Sequence, residues 1–333
     1  MSELRRDPLQ KRWVIMARER NRRPKFIRRA EERESGEPCP FCPGSEHLSK
    51  EIRRYDSLGH WQVRVVANSY PAMHVEGTIN RNPQGIFDTV SGIGAHEVII
   101  ETPDHNEDLP DWSREHSILV WKAYRERMAD LERDFRLRCI MMFKNSGLMA
   151  GASLAHPHGQ ILASPVTPPV VEQMLDSAYE YFVEKERCIM CDIMAQELSE
   201  GSRIIEENET FVAWLPYASR LPFECWIAPR RHAHSFARAR DEELAVFADF
   251  MKSVSRRLKQ ALGDFDYNLV LHTSPNRNSD IRMHGQWRTL EQHYHWHIEI
   301  LPRMWPQAGC ELGNGIFINP IPPEEAAAFL REV

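Results

Sequence analysis

Residues 155–165 read AHPHGQILASP and residues 293–300 read HYHWHIEI. Each stretch sets histidines at alternating positions at the head of an apolar run, and the two lie in opposite halves of a 333-residue chain. Such histidines can be surface residues of a turn, satisfied core residues, metal ligands or nucleophiles. The flanking sequence repeats as well. CPFC supplies Cys39 and Cys42, and CIMC supplies Cys188 and Cys191. HEVIIETPDH (96–105) and ECWIAPRRH (224–232) are β-rich runs that end in proline, charge and histidine. A charged stretch with helical spacing follows each run. The first covers 113–136, with Leu119, Trp121, Tyr124, Met128 and Leu131 on its apolar face; the second covers 241–262, with Leu244, Phe247, Phe250, Met251, Val254 and Leu258. Then come CIMMFKN and YNLVLHT, and then the histidine clusters. Five features in the same order at unequal offsets predict a duplication with loop insertions.

The predicted fold class is α+β, a tandem of two like units. Each is a mostly antiparallel sheet with one principal helix packed on it. The halves are expected at 1–165 and 166–333, joined by the proline-rich SPVTPPVV (164–171). The tail NPIPPEEAAAFL predicts a proline-started terminal helix. Trp296 and Tyr294, alternating in a β-run, are expected in the core.

The chain is 42% hydrophobic and 27% charged with net charge -6, which argues against nucleic-acid or membrane-surface partners. The first forty residues are rich in arginine, a solvated face or arm that can also hold phosphates in bidentate geometry. No apolar stretch is long enough to span a bilayer. MSELRRDPLQ has no apolar h-region, so no secretory signal is expected and the cytoplasm is the expected location. Seven cysteines, an odd number, do not suggest a disulfide framework.

A CxxC pair can bind zinc or cycle as a disulfide, but the redox reading expects one pair beside a βαβ unit. Zinc needs two further ligands per site. The repeat offers Cys39, Cys42, His105 and His156 for a first site, and Cys188, Cys191, His232 and His293 for a second, with His234 as a rival. The bland reading is of buried cysteines and surface histidines. Four protein ligands would close each site and make it structural. In extended backbone, residues two apart point the same way, so His156, His158 and Gln160 share a side. A metal on His156 would pin the strand and present His158 rigidly. A neutral imidazole can attack phosphorus. Gln160 could donate to a nonbridging oxygen, and Gly159 would let backbone approach the phosphate.

HPHGQ after KNSGLMAGAS resembles the active-site motif of the galactose-1-phosphate uridylyltransferases, a branch of the histidine-triad superfamily. DPLQKRWVIMARERNRRP, CPFCPG, TPDH, PYASRLPFECWIAPRRH and HYHWHIEILPR extend the resemblance over nearly the whole chain. It implies two histidine-triad-like units per chain, a homodimer and one or two Zn2+ ions. It also implies transfer of a nucleoside monophosphate between a nucleotide sugar and a hexose 1-phosphate, of the UDP-glucose plus galactose 1-phosphate type. The route is ping-pong through a nucleotidyl-histidine, with His158 as nucleophile and Gln160 as its phosphate partner. Asn145, Ser146, Gly147 and Ser153 match phosphate-binding positions, Arg20 and Arg23 arginines near the substrate, and Asn68 a nucleoside-contacting segment. Glu311 matches a substrate-binding position. Members of the family often carry a second metal site of Glu and His, matched here by His272, His295, His297 and Glu172. The second CxxC and the tail GCELGNGIFINPIPPEEAA look more like the related ADP-glucose phosphorylases, which take phosphate as acceptor. Cys310 stands where a hexose-binding tyrosine is expected. A hydrolase using the same intermediate, or a zinc-stabilised binding module, are the other readings.

Overall fold

The computed structural model describes residues 2–22, 39–57, 59–279 and 285–333. The first half contains β1 (Glu3–Arg6), β2 (Trp13–Met16), β3 (Glu51–Ser57), β4 (His60–Ala67), β5 (Ala95–Ile100), α1 (Arg114–Leu131), β6 (Cys139–Ser146) and β7 (His158–Ser164). Then come α2 (Pro169–Lys185), α3 (Ile189–Glu200), β8 (Ile204–Glu207), β9 (Phe211–Trp214), β10 (Cys225–Pro229), α4 (Asp241–Leu262), β11 (Tyr267–His272), α5 (Leu290–His293), β12 (His297–Pro302), α6 (Gly309–Asn314), β13 (Phe317–Asn319) and α7 (Pro323–Arg331).

The duplication is visible in the main sheet, whose order is β3-β4-β5-β7-β6-β11-β12-β10-β9-β8. Read outward from the β6–β11 junction, each half runs through the same sequence of strands. Thus β7 corresponds to β12, β5 to β10, β4 to β9 and β3 to β8, and α1 corresponds to α4. Every pairing in this sheet is antiparallel. The fold is therefore the expected α+β tandem of histidine-triad-like units, joined edge to edge. Val63, Ile99, Ile161 and Ile298 on the sheet pack with Trp121, Tyr124, Phe247 and Met251 of α1 and α4 in one core that spans both halves. The apolar spacing read from the sequence is what buries these helices. Trp296 belongs to this core, and Tyr294 to a second core under α2 and α3.

The first principal helix stops at Leu131, short of the expected 136. Asp134 accepts from the backbone N–H and guanidinium of Arg136, closing a turn that competes with further helix. Helices α2 and α3 stand where only a proline-rich connector and a CxxC pair were expected; Val171, Met174, Leu175 and Ala178 bury one face of α2, and Ile189, Met190 and Met194 one face of α3. Pro169 begins α2 and Cys188 occupies the N-cap position of α3, so the second CxxC lies at a helix N-terminus. A three-stranded sheet, β1-β2-β13, ties the start of the chain to its tail, with β13 parallel to β2.

Candidate active site and metal centres

His158 opens β7 as a central strand, hydrogen-bonded to β5 on one side and β6 on the other. Its Nδ1 lies 2.7 Å from the carbonyl of His156. That carbonyl can only accept, so Nδ1 carries the proton and Nε2 keeps its lone pair. Burial lowers the His158 pKa, and the Lys144 ammonium lowers it further against the pull of the His156 carbonyl. Both effects favour the neutral, nucleophilic imidazole. Phe41 meets the ring edge-on with centroids 5.2 Å apart.

Beneath the strand lies a buried charge network. Lys144 pairs with Glu101 and Asp108, Tyr124 donates to Glu101 at 2.6 Å, and Tyr267 donates to Asp108 at 3.0 Å. Burial lowers the Lys144 pKa, but Asp108 and Glu101 together raise it well above the usual value, so the ammonium stays charged. Gly159 faces Tyr124, where a Cβ would come within 2.0 Å of the hydroxyl. The glycine of HPHGQ is thus demanded from below, by packing. Gly159→Ala should cost about 1–3 kcal/mol by forcing Tyr124 off Glu101; a melting temperature within a degree of the parent's would contradict this.

Asn145 and Ser146 end β6, one and two residues past the Lys144–Gly159 pair, at the sheet end where His158 lies. The Asn145 side chain accepts from Asn268 at 2.8 Å. Gly147 turns the chain at φ 84°, and a Cβ there would strike the Asp266 carboxylate at 2.1 Å, so neither strain nor space admits a side chain. Ser153 is exposed in the loop before β7. Asn68 follows β4, with its amide 3.2 Å from His96. Arg20 is exposed in the 3-10 turn Arg18–Arg22, and Arg23 lies outside the described residues. Glu311 accepts from the Ala308 N–H at the head of its own helix.

Cys39, Cys42, His105 and His156 bring four ligand atoms within 4.8 Å of one another. His156 and His105 turn Nδ1 toward Cys42 at 3.5 and 3.3 Å. The other nitrogen of His156 donates to the Thr102 carbonyl at 2.8 Å, the outer bond expected of a metal-ligating histidine. In the second half the gathered set is Cys188, Cys191, His232 and His295. The geometry repeats: Nδ1 of His232 and His295 lie 3.5 and 3.4 Å from Cys191, and their Nε2 atoms donate to the carbonyls of Glu291 and Pro229. Two thiols and two imidazoles in a closed set suit zinc.

His293 is not in this set, which corrects the expected ligand list. It closes α5, fully buried between Tyr179 and Phe182, while His295 stands two positions before the start of β12 as His156 does before β7. The right alignment pairs HWHIE with HPHGQ, anchored on the strand and not on the first histidine. The rival His234 bonds Ser274 instead, at 2.9 Å. Of the alternative Glu-and-His set, His295 faces the thiols and Glu172 is exposed on α2. The carboxylate beside His272 and His297 is Glu299, at 3.4 and 3.9 Å. If both Cys2His2 sets bind metal, His293→Ala should retain two metals per chain while His295→Ala loses one; elemental analysis showing the reverse would restore His293.

The strand alignment also places His297 where the first half has His158, and Glu299 where it has Gln160. The two copies differ. His297 is stacked on His272 with centroids 4.8 Å apart, and burial pushes its pKa down to about 3. Glu299 is held by Arg220 and by Gln10 at 2.6 Å, so this carboxylate would repel a phosphate where Gln160 could donate to one.

The family model described as galactose-1-phosphate uridyl transferase, N-terminal domain, matches residues 1–168, and its C-terminal counterpart matches 174–303. ADP-glucose phosphorylase of Arabidopsis thaliana is 33% identical over 99% of this chain and 93% of its own length. Galactose-1-phosphate uridylyltransferase of Thermotoga maritima is 31% identical over 100% of this chain and 98% of its own. Among solved structures, the Arabidopsis ADP-glucose phosphorylase with bound ADP-glucose superposes with a TM-score of 0.84 at 32% identity, covering 100% of this chain and 99% of that one. A uridylyltransferase structure superposes with a TM-score of 0.75 at 28% identity, covering 100% and 98%. The chain belongs to the galactose-1-phosphate uridylyltransferase family.

Proposed function

We propose that this enzyme moves a nucleoside monophosphate from a nucleotide sugar to a second phosphate-bearing acceptor through a nucleotidyl-His158 intermediate. The observation that carries the reading is the 2.7 Å bond from His158 Nδ1 to the His156 carbonyl, which leaves Nε2 free on a strand fixed from both sides. Attack at the α-phosphorus would expel the sugar 1-phosphate, and Gln160 would donate to the oxygen on which charge builds. The sets at Cys39/Cys42 and Cys188/Cys191 would hold zinc, which supplies structural cross-links when bound. The same reading divides the chain at residues 165/166, gives the reaction to the first half and pairs two chains as a homodimer. Arg20, Arg23, Asn68, Asn145, Ser146, Gly147, Ser153 and Glu311 are its candidate substrate contacts.

Two acceptors compete. The second Cys2His2 set and Cys310 in place of a tyrosine favour ADP-glucose as donor and inorganic phosphate as acceptor. The resemblance to the uridylyltransferases supports UDP-glucose with galactose 1-phosphate. Cys310 cannot match a tyrosine hydroxyl's reach, so discrimination for galactose should be weak under either. Incubating the enzyme with each donor, with phosphate, sugar 1-phosphates or neither, separates these readings. We expect phosphate-dependent release of ADP from ADP-glucose; transfer from UDP-glucose to a sugar 1-phosphate would favour the uridylyl reading, turnover with neither acceptor a hydrolase, and a strong preference for galactose 1-phosphate over glucose 1-phosphate would contradict the weak discrimination expected of Cys310.

A further inference from the structure

Gln160 can serve a phosphate only if its amide presents NH2 and not oxygen to the substrate. The two ends of an amide have nearly the same shape, so the choice must come from neighbours. Here it traces to a fixed donor. The backbone N–H of Ala72 points at His96 Nδ1 at 3.1 Å. A backbone N–H cannot accept, so Nδ1 must be the bare nitrogen of a neutral ring and the proton must sit on Nε2. That Nε2 lies 2.8 Å from Gln160 Oε1 and donates to it. The oxygen of Gln160 is thereby consumed, and its NH2 is left free. The Asn68 NH2, oriented by the Tyr70 N–H on its oxygen, lies 3.2 Å from His96 Nε2; being a donor it cannot bond a protonated Nε2, so with Nδ1 taken by the Ala72 N–H that contact is left unmade and the shorter one, to Gln160, carries the proton. His96 stands on β5 beside β7, where Val98 pairs with Gln160, so the bond crosses between adjacent strands.

We propose that His96 is a positioning residue: its Nε2–H tautomer, set by the Ala72 backbone, fixes the Gln160 amide with the NH2 group available to the nucleotide's α-phosphate. The proposal rests on the reading of His158 and Gln160 given above. His96 does not touch the reacting atoms; it acts through Gln160.

Two measurements test it on the full-length, metal-loaded protein. The first needs no catalysis. Long-range 1H–15N correlation of 15N-histidine-labelled protein, with His96→Ala used to assign the signals, reports which nitrogen is protonated. The Nε2–H tautomer is expected, and an Nδ1–H tautomer overturns the proposal. The second compares rates of nucleotidyl-enzyme formation from ADP-glucose or UDP-glucose in His96→Ala, Gln160→Ala and the double variant. His96→Ala should slow the step about 10- to 100-fold, less than the roughly 100- to 1000-fold typical of losing an oxyanion donor outright. The double variant should be no slower than Gln160→Ala alone, because a group that works through Gln160 has nothing left to position. An equal slowing by His96→Ala in both backgrounds overturns the proposal, even if the variant also loosens the loop at Ala72. Failure of the parent enzyme to form any adduct would refute the His158 reading, and the tautomer measurement would still decide the geometry.

Discussion

His158→Gly should abolish transfer while leaving melting temperature and metal content close to the parent's. The loss should be on the order of 10^4- to 10^6-fold, the scale seen when a nucleophile is removed from an otherwise intact site. The fold should survive because the metal ligand is the neighbouring His156, and the polar bond lost with His158 is to a carbonyl two residues away. Free imidazole should restore part of the first step. It can occupy the space left by the side chain and leave as a nucleotidyl-imidazole, which tests the position of the nucleophile as well as its identity. Activity within tenfold of the parent would place the attack elsewhere.

Breaking the first Cys2His2 set should act in the opposite order, stability first and activity after. Cys42 faces both His105 and His156, and His156 is joined through one proline to His158. If this set holds zinc, Cys42→Ser or His156→Gly should cost more than about 4 kcal/mol, the range reserved for mechanisms such as loss of a structural metal. Formation of such sites is coupled to folding of the chain around them. Chelation should therefore lower the melting temperature of the parent and leave that of Cys42→Ser unchanged. A parent protein that carries no metal as purified, or melts the same with and without chelator, would reduce the set to packed thiols and imidazoles.

Much of this architecture was legible in the residues because the features that define it are periodic or punctuated. The apolar spacing of 241–262 gave the bounds of α4, and the repeat of a CxxC pair with two later histidines singled out His156 as the partner of Cys39 and Cys42. Duplication carried the rest, and it also caused the error at His293. Three alternating histidines offer two registers, and only the start of β12 tells which one repeats β7. Local sequence does not hold the long-range partners. His96 reaches Gln160 from another strand, and Arg220 reaches Glu299 across 79 positions. Glu299 itself had a signal, since it stands at the Gln160 place once HWHIE is aligned with HPHGQ. Lys144 had none: a lysine inside a strand reads as solvent-facing until Glu101 and Asp108 are seen around it.

On the proposed reading the first half reacts and the second does not. His158 and His297 occupy equivalent places, each with Nδ1 toward the carbonyl two residues before it, at 2.7 and 3.3 Å. The direct test is to mix the enzyme with a nucleotide sugar labelled at the α-phosphate, quench before an acceptor is added, digest at neutral pH and map the acid-labile label. Label is expected on the peptide that carries His158. Label on the peptide that carries His295 and His297 would contradict it and exchange the roles of the two halves.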